Sequence, residues 1–165
     1  MSARAIAVMD ALDEAALAAA AVRLAPFVRD GGVIHLHGEL GAGKTTFARA
    51  LLRALGVGER VKSPTYSLIE SYRIGDLDVH HLDLYRIADP AELEWLGLDE
   101  LSGAAALMLA EWPERGAGAL PPADLELRLS HAAGDRRRLE ARAHGARGEA
   151  WLQRWHGADR EESGG

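Results

Sequence analysis

The densest chemistry in the chain lies in eight residues, Gly38 to Thr45, which read GELGAGKT. The spacing G-x-x-x-x-G-K-[ST] is that of a phosphate loop. Glycines let successive backbone N–H groups converge on phosphate oxygens with no Cβ in the way. A helix that begins at the Lys-Thr pair adds the positive end of its dipole. Lys44 supplies a point charge for the β- and γ-phosphates, and the Thr45 hydroxyl a ligand for Mg²⁺. Gly38, Glu39, Leu40, Gly41, Ala42, Gly43, Lys44, Thr45 and Thr46 are therefore the expected ATP-binding segment.

The composition singles out the same segment. Of 19 Lys and Arg residues only Lys44 and Lys62 are lysine, and the threonines are Thr45, Thr46 and Thr65. A sequence this biased towards arginine retains lysine where a planar guanidinium would fit poorly. The second place that holds these rare residues is VKSPTYSL, from Val61 to Leu68. Thr65 there is a candidate for a switch-like loop that faces the γ-phosphate and Mg²⁺.

A phosphate loop needs a carboxylate at the end of a neighbouring strand to hold Mg²⁺ or its water. Asp83, after VHHL, and Glu111, after LMLA, both qualify, and spacing does not choose between them. His80 and His81 are adjacent on a strand and so face opposite ways. They do not form one metal site; His81 is expected in the core or behind the site, and His80 at the surface. Trp95 is expected in the core of an amphipathic helix, and Trp112 near the nucleotide or a partner.

These residues need elements to position them. Residues 13–28 read as a helix, GVIHLHG as a strand, and the run after the phosphate loop as a helix with the apolar stripe Phe47, Ala48, Leu51, Leu52 and Leu55 closed by Gly56. TYSLIESYRI and VHHLDLYRI form an expected hairpin. DPAELEWLGLDEL opens a helix with Asp89 as cap and Pro90 in its first turn. AALMLAEW is a buried strand, ADLELRLSH and RRLEARAHG pair late, and GEAWLQRW is a last short helix. The expected fold is a three-layer α/β domain of phosphate-loop type over residues 1–156, with a mixed, mainly parallel central sheet and a disordered tail over 157–165.

Several functions are excluded. The chain has no cysteine, hence no disulfide, thiolate metal site or cysteine nucleophile. It lacks G-x-S-x-G, and with no asparagine it lacks the N-K-x-D that would specify guanine, so ATP is favoured. The formal net charge of -6 argues against a broad nucleic-acid-binding face. No apolar run reaches bilayer length, and a soluble cytoplasmic protein without membrane contact is expected.

GELGAGKTTFARAL, VKSPTYSLIESY, HLDLYRIADPAELEWLG, LAEWPERG and LPPADLELRL occur in this order, and together they resemble the TsaE family over about Asp13 to Arg138. The resemblance implies slow ATP hydrolysis with Mg²⁺ in a complex with TsaB and TsaD. That complex transfers threonylcarbamoyl to adenosine 37 of tRNAs reading ANN codons, and hydrolysis would reset it between turnovers; tRNA is met only indirectly. The resemblance also implies catalytic roles for Lys44, Thr65, Asp83 and Glu111, with Thr45, Asp83 and Glu111 towards the metal. It brings the segment around Leu12 to Glu14, with Asp13, and a late arginine, Arg136 or Arg138, near the nucleotide. Leu17 stands where the family commonly has threonine. The competing readings are a small-molecule kinase, against which the absence of an Arg-rich lid counts, and a nucleotide-dependent binding module.

Overall fold

A computed structural model of the chain describes residues 6–57, 68–101 and 105–163. The expectations for Lys62 and Thr65 lie outside the described residues. The elements follow in the order β1 (Ile6–Leu12), α1 (Glu14–Leu24), β2 (Gly32–Gly38), α2 (Lys44–Leu55), β3 (Ile69–Ile74), β4 (Leu77–Asp83), α3 (Leu98–Leu101), β5 (Ala106–Glu111), β6 (Leu125–His131), β7 (Arg137–Ala143) and α4 (Gly145–Ser163). Short 3₁₀ turns lie at Ala25–Phe27, Pro90–Leu96 and Pro113–Gly116.

The seven strands form one sheet in the order β1-β7-β6-β2-β5-β4-β3. The four central strands, β6, β2, β5 and β4, run parallel. The flanks, β3 on β4 and β7 with β1 beyond β6, are antiparallel. This is the mixed α/β architecture that the alternation of patterns predicts, including the hairpin after the phosphate-loop helix. The parallel centre matters for the site, because it brings the C-terminal ends of β2, β4 and β5 to one edge. Asp83 and Glu111 are register partners there.

The larger core lies between the sheet and α1, α2 and α4. The expected α2 stripe is buried from Phe47 to Leu55, and Gly56 ends the helix at φ 121. Strand alternation supplies the opposing surface, with Ile34, Leu36, Leu107, Leu109, Leu125, Leu127 and Val79 all buried in that core. Trp155 of α4 is fully buried; its Nε1–H donates to Ala20 O at 2.9 Å and its ring meets Phe47 edge-on at 6.1 Å. A smaller core, with Leu82, Leu84, Ile87, Leu93, Met108 and Ala110, lies on the other face.

The structure corrects several expectations. β1 was missed, because MDAL carries too little β-branched sequence to announce a strand; its pairing with β7 makes it one, with an irregularity at Ala11 (φ 55). The helix expected over 13–28 is α1 followed by a 3₁₀ turn, since Pro26 cannot donate to a continuing helix. Asp89 caps its segment as expected, accepting from Ala91 N at 3.0 Å, but most of the segment is a 3₁₀ turn ended by Gly97 in the left-handed region. The last helix extends through Ser163, where a short helix and a disordered tail were expected. Trp95, expected in the core, is 91% exposed. His80, expected at the surface, is buried, with Nδ1 2.8 Å from the Ser71 hydroxyl. Among the described residues no helix is long and apolar enough to cross a membrane.

Candidate active site

The phosphate loop joins the end of β2 to the start of α2, and close approaches fix its shape. Gly38, at φ 152, lies so near Leu129 O that a Cβ would come within 2.6 Å of it. Gly43, at φ 109, caps α2 without a side chain and packs against Leu17 of α1, where a Cβ would lie 2.6 Å from Leu17 Cδ2. The leucine at position 17 therefore braces the loop from behind.

Lys44 and Thr45 open α2. Lys44 is 5% exposed, and its Nζ donates to the carbonyls of Gly38 and, at 2.9 Å, Glu39. The ammonium also lies 4.1 Å from the centroid of the Trp112 ring, within cation–π range. Burial lowers the Lys44 pKa, opposed by the nearby carboxylates, first Glu111 and then Glu114, Asp83 and Glu39.

The two candidate carboxylates meet at this point. The Thr45 hydroxyl donates to Glu111 Oε1 at 2.9 Å, and the other Glu111 oxygen lies 2.6 Å from His81 Nε2. Glu111 is 2% exposed and His81 fully buried. With an ionised carboxylate as acceptor, His81 Nε2 carries the hydrogen. This is the role behind the site that was one of two expected for His81. Asp83 is half-buried, and its Oδ1 accepts from Tyr85 N at 3.1 Å. Burial raises its pKa above the ordinary carboxylate range, the Tyr85 N–H opposes this, and the Glu111 charge reinforces it.

Trp112 takes a left-handed backbone, φ 58 and ψ 49, at a cost of about 1 kcal/mol or more for a non-glycine residue. That turn, with Trp112 N donating to Leu36 O at 3.3 Å, swings the indole back over Lys44 and against Tyr85, ring centroids 5.0 Å apart. The result is a cavity of about 220 Å³ bounded by the loop, Lys44, Thr45, Asp83, Glu111 and Trp112. A second cavity of about 610 Å³ adjoins it, sharing Leu40, Tyr85 and Trp112 and reaching His37, Glu114 and Arg128.

The three late arginines have different partners. Arg136 pairs with Asp13 at 3.5 Å, which itself caps α1 through Ala16 N at 2.7 Å. Arg138 points to the opposite face from Arg137, in a cavity with Arg128 and Glu140 that also reaches Gly38 and Glu39 at the start of the phosphate loop. Arg137, one of the three arginines of which one or two were expected to reach a phosphate or a partner, reaches the phosphate loop and donates to Gly41 O at 3.1 Å. Strand alternation separates Arg137 from Arg138; β7 register, invisible in RRR, decides which one faces the loop.

The donor set suits Mg²⁺. That ion takes oxygen ligands and is commonly held by one or two carboxylates together with substrate phosphates. Thr45, Asp83 and Glu111 offer such oxygens at one edge. Among the described residues no group of three or more His, Cys, Asp or Glu side chains forms a metal site alone.

The model of the threonylcarbamoyl adenosine biosynthesis protein TsaE matches residues 11–139. The chain belongs to the TsaE family. Relatives named tRNA threonylcarbamoyladenosine biosynthesis protein TsaE include one from Bacillus subtilis, 39% identical over 76% of this chain and 78% of that protein. Another, from Haemophilus influenzae, is 44% identical over 60% of this chain and 63% of that one. The crystal structure of YdiB from Bacillus subtilis superposes with a TM-score of 0.79 at 29% identity, covering 96% of this chain and 99% of that one. The TsaE fold thus carries the phosphate-loop geometry described above.

Proposed function

We propose that this TsaE-family chain binds ATP with Mg²⁺ and hydrolyses it slowly, in the cytoplasm, as a subunit acting with TsaB and TsaD in the formation of N6-threonylcarbamoyladenosine at position 37 of tRNAs reading ANN codons. The observation that carries the ATPase reading is the Thr45–Glu111–His81 chain at the mouth of the phosphate loop, with bonds of 2.9 and 2.6 Å. It presents a hydroxyl and a fixed carboxylate beside a lysine, which is what phosphoryl transfer requires of the protein.

Each residue then has a task. The backbone N–H groups from Gly41 to Thr45 cradle the phosphates, and Lys44 exchanges its carbonyl partners at Gly38 and Glu39 for phosphate oxygens. Thr45 and Glu111 hold the metal side of the site, with His81 fixing the carboxylate. Asp83, less buried and with a raised pKa, faces the same cavity and is assigned to orienting the attacking water. Mg²⁺, when bound, would neutralise charge on the β- and γ-phosphates. Thr65 remains a proposed switch residue on the strength of its motif alone.

A small-molecule kinase is the second reading, and the 610 Å³ cavity beside the phosphate site is the feature that favours it, because an acceptor would fit there. The test is phosphate release from ATP and Mg²⁺, alone and with purified TsaB and TsaD, beside a panel of metabolites. Slow release stimulated by the two proteins supports the ATPase. A phosphorylated metabolite replaces it with the kinase.

A further inference from the structure

The segment after Asp83 covers the sheet face opposite α2. Leu84, Ile87, Leu93 and Leu98 point inward and are at most 5% exposed. Trp95, between the last two, is 91% exposed. Its backbone is held in place. Asp89 caps the 3₁₀ turn through Ala91 N at 3.0 Å, Glu92 Oε2 accepts from Ala88 N at 3.3 Å, and Gly97 closes the turn at φ 63. The indole is therefore carried on an anchored platform.

A scattered exposed leucine needs no explanation, but a tryptophan almost wholly in water does. Tryptophan has the largest apolar surface of any side chain and is enriched among the residues that dominate protein interfaces. The other three have local partners: Trp112 packs on Tyr85 and Lys44, and Trp151 and Trp155 lie in the core. Trp95 is also absent from the linings of the two cavities at the phosphate loop. The segment that carries it is net acidic. Residues 84–101 hold five carboxylates and a single arginine, Arg86, and Asp89, Glu92 and Glu94 are exposed around the indole in sequence. An acidic patch repels a second copy of itself and an anionic lipid surface, and it complements a basic rim.

We infer that Trp95 is the anchor of a docking surface for a protein partner that offers an apolar slot rimmed by Lys or Arg. The inference rests on the reading above, in which that partner is the TsaB–TsaD complex. The purified complex is titrated, with ATP and at low and high salt, against the wild type, Trp95→Ala, Trp95→Phe and Glu94→Lys. Trp95→Ala is expected to weaken binding at least about thirtyfold, the scale of an interface hot spot, and Trp95→Phe less. The charge reversal is expected to slow association mainly at low salt. ATP affinity and basal hydrolysis stay at the wild-type level in all three variants. Near-wild-type binding by Trp95→Ala overturns the anchor and leaves the ATPase reading standing. No binding by the wild type overturns the partner reading and the anchor with it. A homo-oligomer that Trp95→Ala dissolves transfers the anchor to a second copy and also overturns the inference.

Discussion

Asp83 and Glu111 end neighbouring parallel strands as register partners, yet the two strand ends are built differently. Glu111 is enclosed, with one oxygen on Thr45 and the other on His81. Asp83 has one backbone N–H, an open side, and a pKa raised first by burial. A buried carboxylate with both oxygens bonded is part of the scaffold as well as the site. One held by a single bond can respond to what enters the cavity. The pair teaches that equal position in a sheet does not give equal chemistry; the side chains of the neighbouring strand and of the helix packed on it decide it.

The largest expected effect comes from Glu111→Ala. Hydrolysis should fall on the order of a hundredfold or more, the scale for losing one fixed electrostatic group, with phosphate release as the measurement. Unlike an ordinary site variant it should also lower unfolding free energy by about 1–3 kcal/mol, because His81 is left buried without its acceptor. Wild-type stability in denaturant titration would remove the scaffold half of the comparison.

His81→Phe strikes the same strand end from behind. It leaves Glu111 enclosed with its hydroxyl partner alone, and should destabilise the fold by about 1–3 kcal/mol, because a buried carboxylate oxygen loses its donor. Combined with Glu111→Gln, the loss should be less than the sum of the two single changes. Strict additivity in that cycle would show the 2.6 Å contact to be energetically idle.

Asp83→Asn should behave oppositely in stability. A folded-state pKa raised above the unfolded value gives a contribution that is complete below the ordinary carboxylate pKa and is lost as pH rises through the folded pKa. The neutral isostere avoids that loss. Its Tm should therefore exceed the wild type's modestly at pH 8 and converge with it in acid, below about pH 4. Hydrolysis should nevertheless drop. A variant less stable than wild type at pH 8 would reverse the assigned direction.

Arg137→Ala is the smallest change. Removing one exposed bond to Gly41 O should cost about 1 kcal/mol or less and weaken ATP binding only a few fold, read by titration. A large loss would move Arg137 from bracing the loop to contacting the nucleotide.

How much of this was legible beforehand follows the range of each interaction. The phosphate loop, the α2 stripe, the Asp89 cap and the hairpin after α2 are local, set by spacing and by single residues with strong backbone preferences, and the sequence displayed them. β1 was not legible, because it is a strand only through pairing with β7, far away in the chain. Trp95 was misplaced for a related reason: a helical period assigned it to an apolar face, but a 3₁₀ turn rotates three residues per turn and directs it outward. His80 was misplaced because its burial depends on Ser71 across the hairpin.

The sequence by itself determined the chemistry available: a phosphate loop with its Lys and Thr, two carboxylates after apolar runs, and a motif order that resembles TsaE. It left the carboxylates equivalent and did not choose which of Arg136, Arg137 and Arg138 touches the loop. Only the tertiary structure decided that Glu111 meets Thr45 and His81 while Asp83 keeps an open side, and that Arg137 faces Gly41. The reason is geometric. Motif identity is written in local spacing, whereas which side chains share an edge is fixed by strand order and register, and those are settled by packing between segments distant along the chain.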